Sequence, residues 1–258
     1  MNYLKSFLFL FLVSSTNPAI YAQDSLIHKT IFPGGITLEY GIGYYAVTDE
    51  YISKEKYSGT LPYYKVGWAN QHENYIYHLG FEYRFSSEIR NNNVSADMYQ
   101  FSLNQGFLYS LPEFSLFSKD VYTFLGPSTE LFFYYNNQNI AVDGFDYAQS
   151  FAALFSLGIS SELIYPVWSN FNVESSLAFS VLSLGLRIVD SEESDASPVK
   201  ILTLISGTNV EFRLGVRYYL FDNLSLKAAY LFNLTRISSW EPLLSASDNL
   251  VLTLTYGF

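Results

Sequence analysis

Ten segments of the chain alternate apolar and polar residues with a period of two. That is the spacing of a β-strand whose two faces meet different surroundings. The clearest lies at 75–85, where Tyr77, Leu79, Phe81, Tyr83 and Phe85 alternate with His78, Gly80, Glu82 and Arg84. The full set is 36–47, 61–69, 75–85, 98–109, 121–135, 147–164, 171–189, 201–220, 224–235 and 250–258. In 171–189 the phase slips: Phe179 and Val181 share one face, but Leu184, Leu186 and Ile188 take the opposite parity. One extra residue near Leu182–Ser183, a β-bulge, would restore the alternation.

The connections alternate too. Those at 48–60, 86–97, 136–146, 190–200 and 236–249 are long and polar, whereas 70–74, 165–170 and 221–223 are tight. The remaining one, 110–120, carries Leu111-Pro112-Glu113-Phe114-Ser115-Leu116-Phe117 and is too apolar for a bare turn. It predicts a strand extension or a short segment tucked under the sheet. An even number of alternating strands, with long loops on one side and short turns on the other, describes a transmembrane antiparallel up-and-down β-barrel. Ten strands fit best, with eight and twelve as the alternatives. A soluble β-sandwich would also alternate, but its strands are usually about five or six residues long. Strands six to eight exceed the roughly 9–11 residues that cross a bilayer at barrel tilt, so their outer halves should stand clear of lipid.

Composition agrees. Aromatic residues make up 19% of the chain and charged residues 15%, an unusual balance for a soluble domain. Beyond the N-terminus no stretch is long and apolar enough for a transmembrane helix. The chain has no Cys, which excludes disulfides and thiolate chemistry, and its net charge of −10 argues against nucleic acid. At the N-terminus, Lys5 precedes an apolar run from Phe7 to Val13, and Ile20-Tyr21-Ala22 reads as a cleavage site. Residues 1–22 therefore read as a signal peptide and 23–258 as the barrel. The run is shorter than the roughly 20 residues of a spanning helix.

At the other end, Leu250, Leu252, Leu254, Tyr256 and Phe258 alternate with Val251, Thr253, Thr255 and Gly257. This ending resembles the C-terminal assembly signal of Gram-negative outer-membrane proteins, with Tyr256 and Phe258 in its aromatic places. Thr253 stands where Gly is usual and Val251 where a polar residue is usual. The resemblance implies an outer-membrane location with both termini periplasmic. It also implies outer-membrane lipid, lipopolysaccharide and the outer-membrane assembly machinery as partners. It leaves the oligomeric state open.

The inward positions of the strands collect the charges. The acids are Glu39, Glu82, Glu130, Glu162, Glu174 and Glu211, and the bases are Lys65, Arg84, Arg213, Arg217 and Lys227, with His78 among them. Buried charges are tolerated when paired, and side chains fill the lumen of small barrels. A lumenal ion-pair network follows, or alternatively a charged lining around a small-solute path. His78 with Glu82 and Arg84 is the one cluster suited to general-base chemistry. Barrel lipid A deacylases place a Ser two residues after the His, where this chain has Gly80. The acid pairs and His–Asp pair of ten-stranded outer-membrane proteases have no counterparts that can be placed here. A structural role for His78 is therefore expected, with no catalytic residue. His28, His72 and His78 lack zinc-site spacing, and the acidic loop 190–195 lacks the calcium-loop pattern and its Gly. Gly41 and Gly43 lie in a strand with no helix after them, unlike a phosphate loop. Neither metal nor cofactor is expected. The leading functional reading is a non-enzymatic surface, structural or interaction protein with a plugged or narrow lumen. A small passive channel and a membrane-embedded hydrolase are the alternatives.

Overall fold

A computed structural model describes residues 34–72, 74–91, 94–117, 119–138, 148–188 and 198–258; the signal-peptide expectation lies outside them. These residues form thirteen strands: β1 (Gly35–Asp49), β2 (Ser53–Thr60), β3 (Tyr63–His72), β4 (Tyr75–Arg90), β5 (Ser95–Ser110), β6 (Phe114–Leu116), β7 (Lys119–Gln138), β8 (Ala148–Trp168), β9 (Phe171–Ile188), β10 (Val199–Thr203), β11 (Gly207–Phe221), β12 (Leu224–Ile237) and β13 (Leu243–Gly257). Ten of them close a ring by antiparallel pairing, in the order β1, β3, β4, β5, β7, β8, β9, β11, β12, β13 and back to β1. This is the ten-stranded up-and-down barrel that the alternation predicts.

The other three strands are pieces of the same arms. β2 and β3 both pair with β1, at Thr60↔Tyr44 and Tyr63↔Gly41, so the register runs unbroken through Leu61 and Pro62. Pro62 has no N–H to give the ladder, and the arm divides there. The predicted loop 48–60 is thus mostly strand, an outward extension of the first hairpin. The segment 201–220 is divided likewise into β10, which pairs with Leu182–Leu186 of β9, and β11, which pairs with Phe171–Phe179. β6 folds back on the start of β7 as a small hairpin at the tight-turn end. It is a strand extension and not a segment tucked beneath the barrel, since Phe114, Leu116 and Phe117 are 49%, 45% and 85% exposed. The phase slip is also resolved: Leu157 pairs with Leu182 and Gly158 with Ser180, leaving Val181 as the bulged residue.

The outer face is apolar and bare. Ile36, Leu38, Tyr40, Ile42 and Tyr44 on β1 are each about half exposed, while Val216, Tyr218 and Leu220 alternate with buried Arg217. Soluble monomers rarely leave so continuous an apolar band uncovered, whereas a lipid-facing barrel requires one. Aromatic rings brace it across strands. Tyr40 meets Tyr64 at 5.4 Å between centroids, Tyr64 stacks on Tyr83 at 6.5 Å, and Tyr83 meets Phe101 at 5.0 Å. Cross-strand aromatic pairs of this kind stabilise a sheet by packing directly opposed side chains. An Arg at Val216 should cost about 2–4 kcal/mol if the position lies near the midplane. Even a Cβ at Gly215 would meet the Ala229 Cβ at 2.6 Å, so the same Arg there must disrupt packing instead. Nitroxide labels placed singly along 210–220 should alternate in oxygen accessibility, and a flat profile would refute the lipid-facing assignment.

Candidate functional site: the charged lumen

Inward-facing side chains are mostly short, polar or charged at mid-height, and several strands add apolar ones towards an end, as β4 does with Ile76 and β7 with Tyr134. In the middle is a chamber of about 220 Å³. Glu39, Lys65, His78, Glu130, Glu162, Glu211, Arg213, Arg217 and Lys227 all line it. Space exists because the wall formed by β7, β8 and β9 is built from small residues: Ser128, Ser156, Gly158, Ser160, Ser176, Ala178 and Ser180. On that wall Ser156 and Ser183 hydrogen-bond each other at 2.8 Å. The opposite side bears the long chains. Strand pairing does not choose their partners; the curvature of the barrel does.

Arg213 on β11 reaches across the lumen to Glu39 on β1, its Nη1 donating to both carboxylate oxygens at 2.9 Å. Tyr63 donates its hydroxyl to the same carboxylate at 2.9 Å and accepts from Arg213 Nη2 at 3.2 Å. Glu211, two residues from Arg213 on one strand, is farther from it, at 3.7 Å, and its side chain is 29% exposed. Glu174 on β9 is shared between two cations, Arg217 Nε at 2.6 Å and Lys227 Nζ at 2.7 Å. Arg217 also donates to Ser225 and Thr255. Above the chamber, Glu82 accepts from Arg84 Nε at 2.7 Å, Arg84 donates to Ser247 at 2.7 Å, and its guanidinium lies 5.0 Å from the centroid of the Tyr63 ring. Such paired and hydrogen-bonded arrangements are what make charge tolerable in a confined, low-dielectric interior. Glu130 accepts from the Asn209 amide.

The cluster of His78, Glu82 and Arg84 is not assembled. His78 is four residues below Glu82 on one strand, about 13 Å at roughly 3.3 Å per residue. Glu82 turns instead to Arg84. The His78 ring lies over Gly106 of β5, where a Cβ would come within 2.2 Å of its Cε1. Gly106 is thus the space that a lumenal imidazole occupies, and Gly106→Ala must displace the ring. Among the described residues no group of three His, Cys, Asp or Glu side chains is placed to hold a metal. Tyr256 and Phe258 point outward at the end of β13 and are 54% and 83% exposed.

An apolar cluster lies towards each end of the lumen, alongside buried polar side chains such as Asn136 and Gln138 at the outer end and Asn172 at the other. Towards the tight turns, Ile76, Leu108, Phe124 and Ile164 cluster, each at most 3% exposed. Towards the long loops lies a larger cluster that includes Tyr45, Leu61, Met98, Phe132, Tyr134, Leu154 and Leu202, with Trp240 packed against it. Beside that outer cluster is a pair that sequence reading missed. Asp49 and Arg187 form an ion pair with no exposed side-chain surface, and Tyr134 donates to Asp49 at 3.3 Å. The bulge at Val181 is the signal that could have found Arg187, because it turns Arg187 inward between Leu186 and Ile188.

No family model matches the chain, and no curated protein matches it. Solved structures similar to it include the outer membrane protease OmpT from Escherichia coli, at 8% identity over 88% of this chain and 97% of that one, with a TM-score of 0.47. The translocator domain of the autotransporter NalP from Neisseria meningitidis is similar at 12% identity over 88% and 90% of the two chains, with a TM-score of 0.44. Neisserial surface protein A is similar at 13% identity over 88% and 99%, with a TM-score of 0.37.

Proposed function

We propose that this protein is an outer-membrane barrel of a Gram-negative bacterium with a closed lumen, acting through its outward strand extensions as a non-enzymatic surface or interaction protein. Both described strand ends at the seam, Gly35 and Gly257, belong to the tight-turn side, which this reading assigns to the periplasm. Outer-membrane lipid and lipopolysaccharide then meet the apolar band, and the outer-membrane assembly machinery inserts it. The observation that carries the closed lumen is the sequence of layers along its axis. An apolar cluster lies towards each end, with ion pairs and the chamber between them. Ions cross such layers poorly, because each would shed its water against hydrocarbon.

The chamber itself favours a second reading, a narrow passive channel. Conductance separates the two. Refolded protein in planar bilayers should give no sustained single-channel steps, and steady ohmic steps would replace this proposal with the channel. Truncating both clusters, at Tyr134 and Leu154 and at Phe124 and Ile164, should create conductance where none existed, since those buried side chains fill the two ends of the path.

A further inference from the structure

Between β9 and the arm made of β10 and β11, the ladder stops. Thr203 pairs with Leu182 and Val210 with Phe179, so seven residue steps on one side face three on the other. The surplus forms a turn that bonds to itself and to its neighbour. Ser206 N donates to Thr203 O at 3.0 Å, Thr203 N to Ser206 Oγ at 2.9 Å, and Ser238 N to Ser206 O at 2.8 Å. Thr208 Oγ1 donates to Leu204 O. Asn209 N, at the break, donates to Ser180 Oγ at 2.7 Å. Ser238 Oγ also donates to Ile205 O at 3.3 Å, so the carbonyls of residues 203–206 all accept a bond, which lowers the cost of entering an apolar medium, where each unpaired group would be costly.

Its side chains are suited to that medium. Leu204 is 47% exposed and Ile205 84%. The turn projects beside Val181 and Leu182, both turned outward by the bulge. Leu184 and Ile201 continue the apolar surface on one side, and Phe179, Val210 and Phe212 continue it on the other. Apolar surface that is continuous with a lipid-facing band has lipid as its natural occupant.

We propose that the turn 203–206 is a membrane wedge, its Leu204 and Ile205 seated among the acyl chains of the outer leaflet. There it projects laterally from the barrel wall and fixes the height of the β9–β11 side in the bilayer. The inference rests on the lipid-facing reading of the outer band.

The chain has no Cys, so single nitroxide labels can be placed without background. Ile205→Cys, Val216→Cys in the band and Lys54→Cys on the outward extension of β2 would be labelled and refolded into phosphatidylcholine vesicles. Ile205 and Val216 should be accessible to oxygen and shielded from a water-soluble nickel complex, with Lys54 the reverse. An aqueous signal at Ile205 with Val216 still in lipid would overturn the wedge alone. An aqueous signal at Val216 would overturn the band itself. Spin–spin broadening at Ile205 that grows with protein density would assign the turn to a second copy of the chain, and so against lipid.

Discussion

Glu174→Gln is expected to be the most damaging single change in the lumen, with a loss of about 3–5 kcal/mol in refolded protein. Glu174 is 1% exposed, and it is the carboxylate that both Arg217 and Lys227 contact within 2.7 Å. Its neutralisation takes from Arg217 and Lys227 the carboxylate that lies within 2.7 Å of both. Arg217 retains Ser225 and Thr255, which satisfy N–H groups without offsetting charge. Lys227→Met in the same chain should therefore restore part of the loss, because it removes one of the two cations whose shared carboxylate is gone. Denaturant midpoints in detergent for the two singles and the double would measure this. If Lys227→Met made Glu174→Gln worse, the three groups would not be a charge-balanced unit.

The second large effect is expected at Arg213, and it discriminates between two partners. Glu39→Gln and Arg213→Met should each cost about 3–5 kcal/mol if water does not enter, and the double far less than their sum. Glu211→Gln should cost much less and couple weakly to Arg213. The reason is geometric: Glu39 holds Arg213 through two contacts of 2.9 Å in a buried setting, while Glu211 is 3.7 Å away and partly exposed. Exposure weakens an ion pair through solvent screening. Strict additivity with small losses throughout would mean that water fills the lumen, which favours the channel.

The contrast between Glu39 and Glu211 shows where sequence reading stopped. Alternation along a strand tells which residues face inward, and every acid and base singled out for the lumen is on an inward face. It does not tell which of them meet. Glu211 and Arg213 are neighbours in sequence, yet the close partner of Arg213 is 174 residues away, on β1. That contact depends on the tilt and stagger of the whole ring, which no local pattern encodes. The ten arms were legible because lipid on one side and a polar lumen on the other impose a strict period of two. Above the lipid that contrast disappears. The polar stretch Ser53–Thr60 therefore reads as a loop although it is β2, and Asp49 reads as a loop residue although it is buried against Arg187. The turn before β11 is hidden for the opposite reason: Leu204 and Ile205 are as apolar as the strands on either side.

The seam between β1 and β13 has a consequence for how the protein forms. It joins Gly35 to Gly257 and continues to Asp49 with Leu243, so it pairs the earliest and latest strands of the ring. Every other ring contact links arms that are close in sequence and can zip as hairpins. The seam must instead close a loop that contains nearly the whole chain, the slowest class of contact to make. Until it closes, β1 and β13 are two long unpaired edges, the feature that templates aggregation. A chain shortened before β13 is then an open sheet with sticky borders rather than a slightly smaller barrel. Ring closure is all or none, and the chain is most open to edge-to-edge association before it.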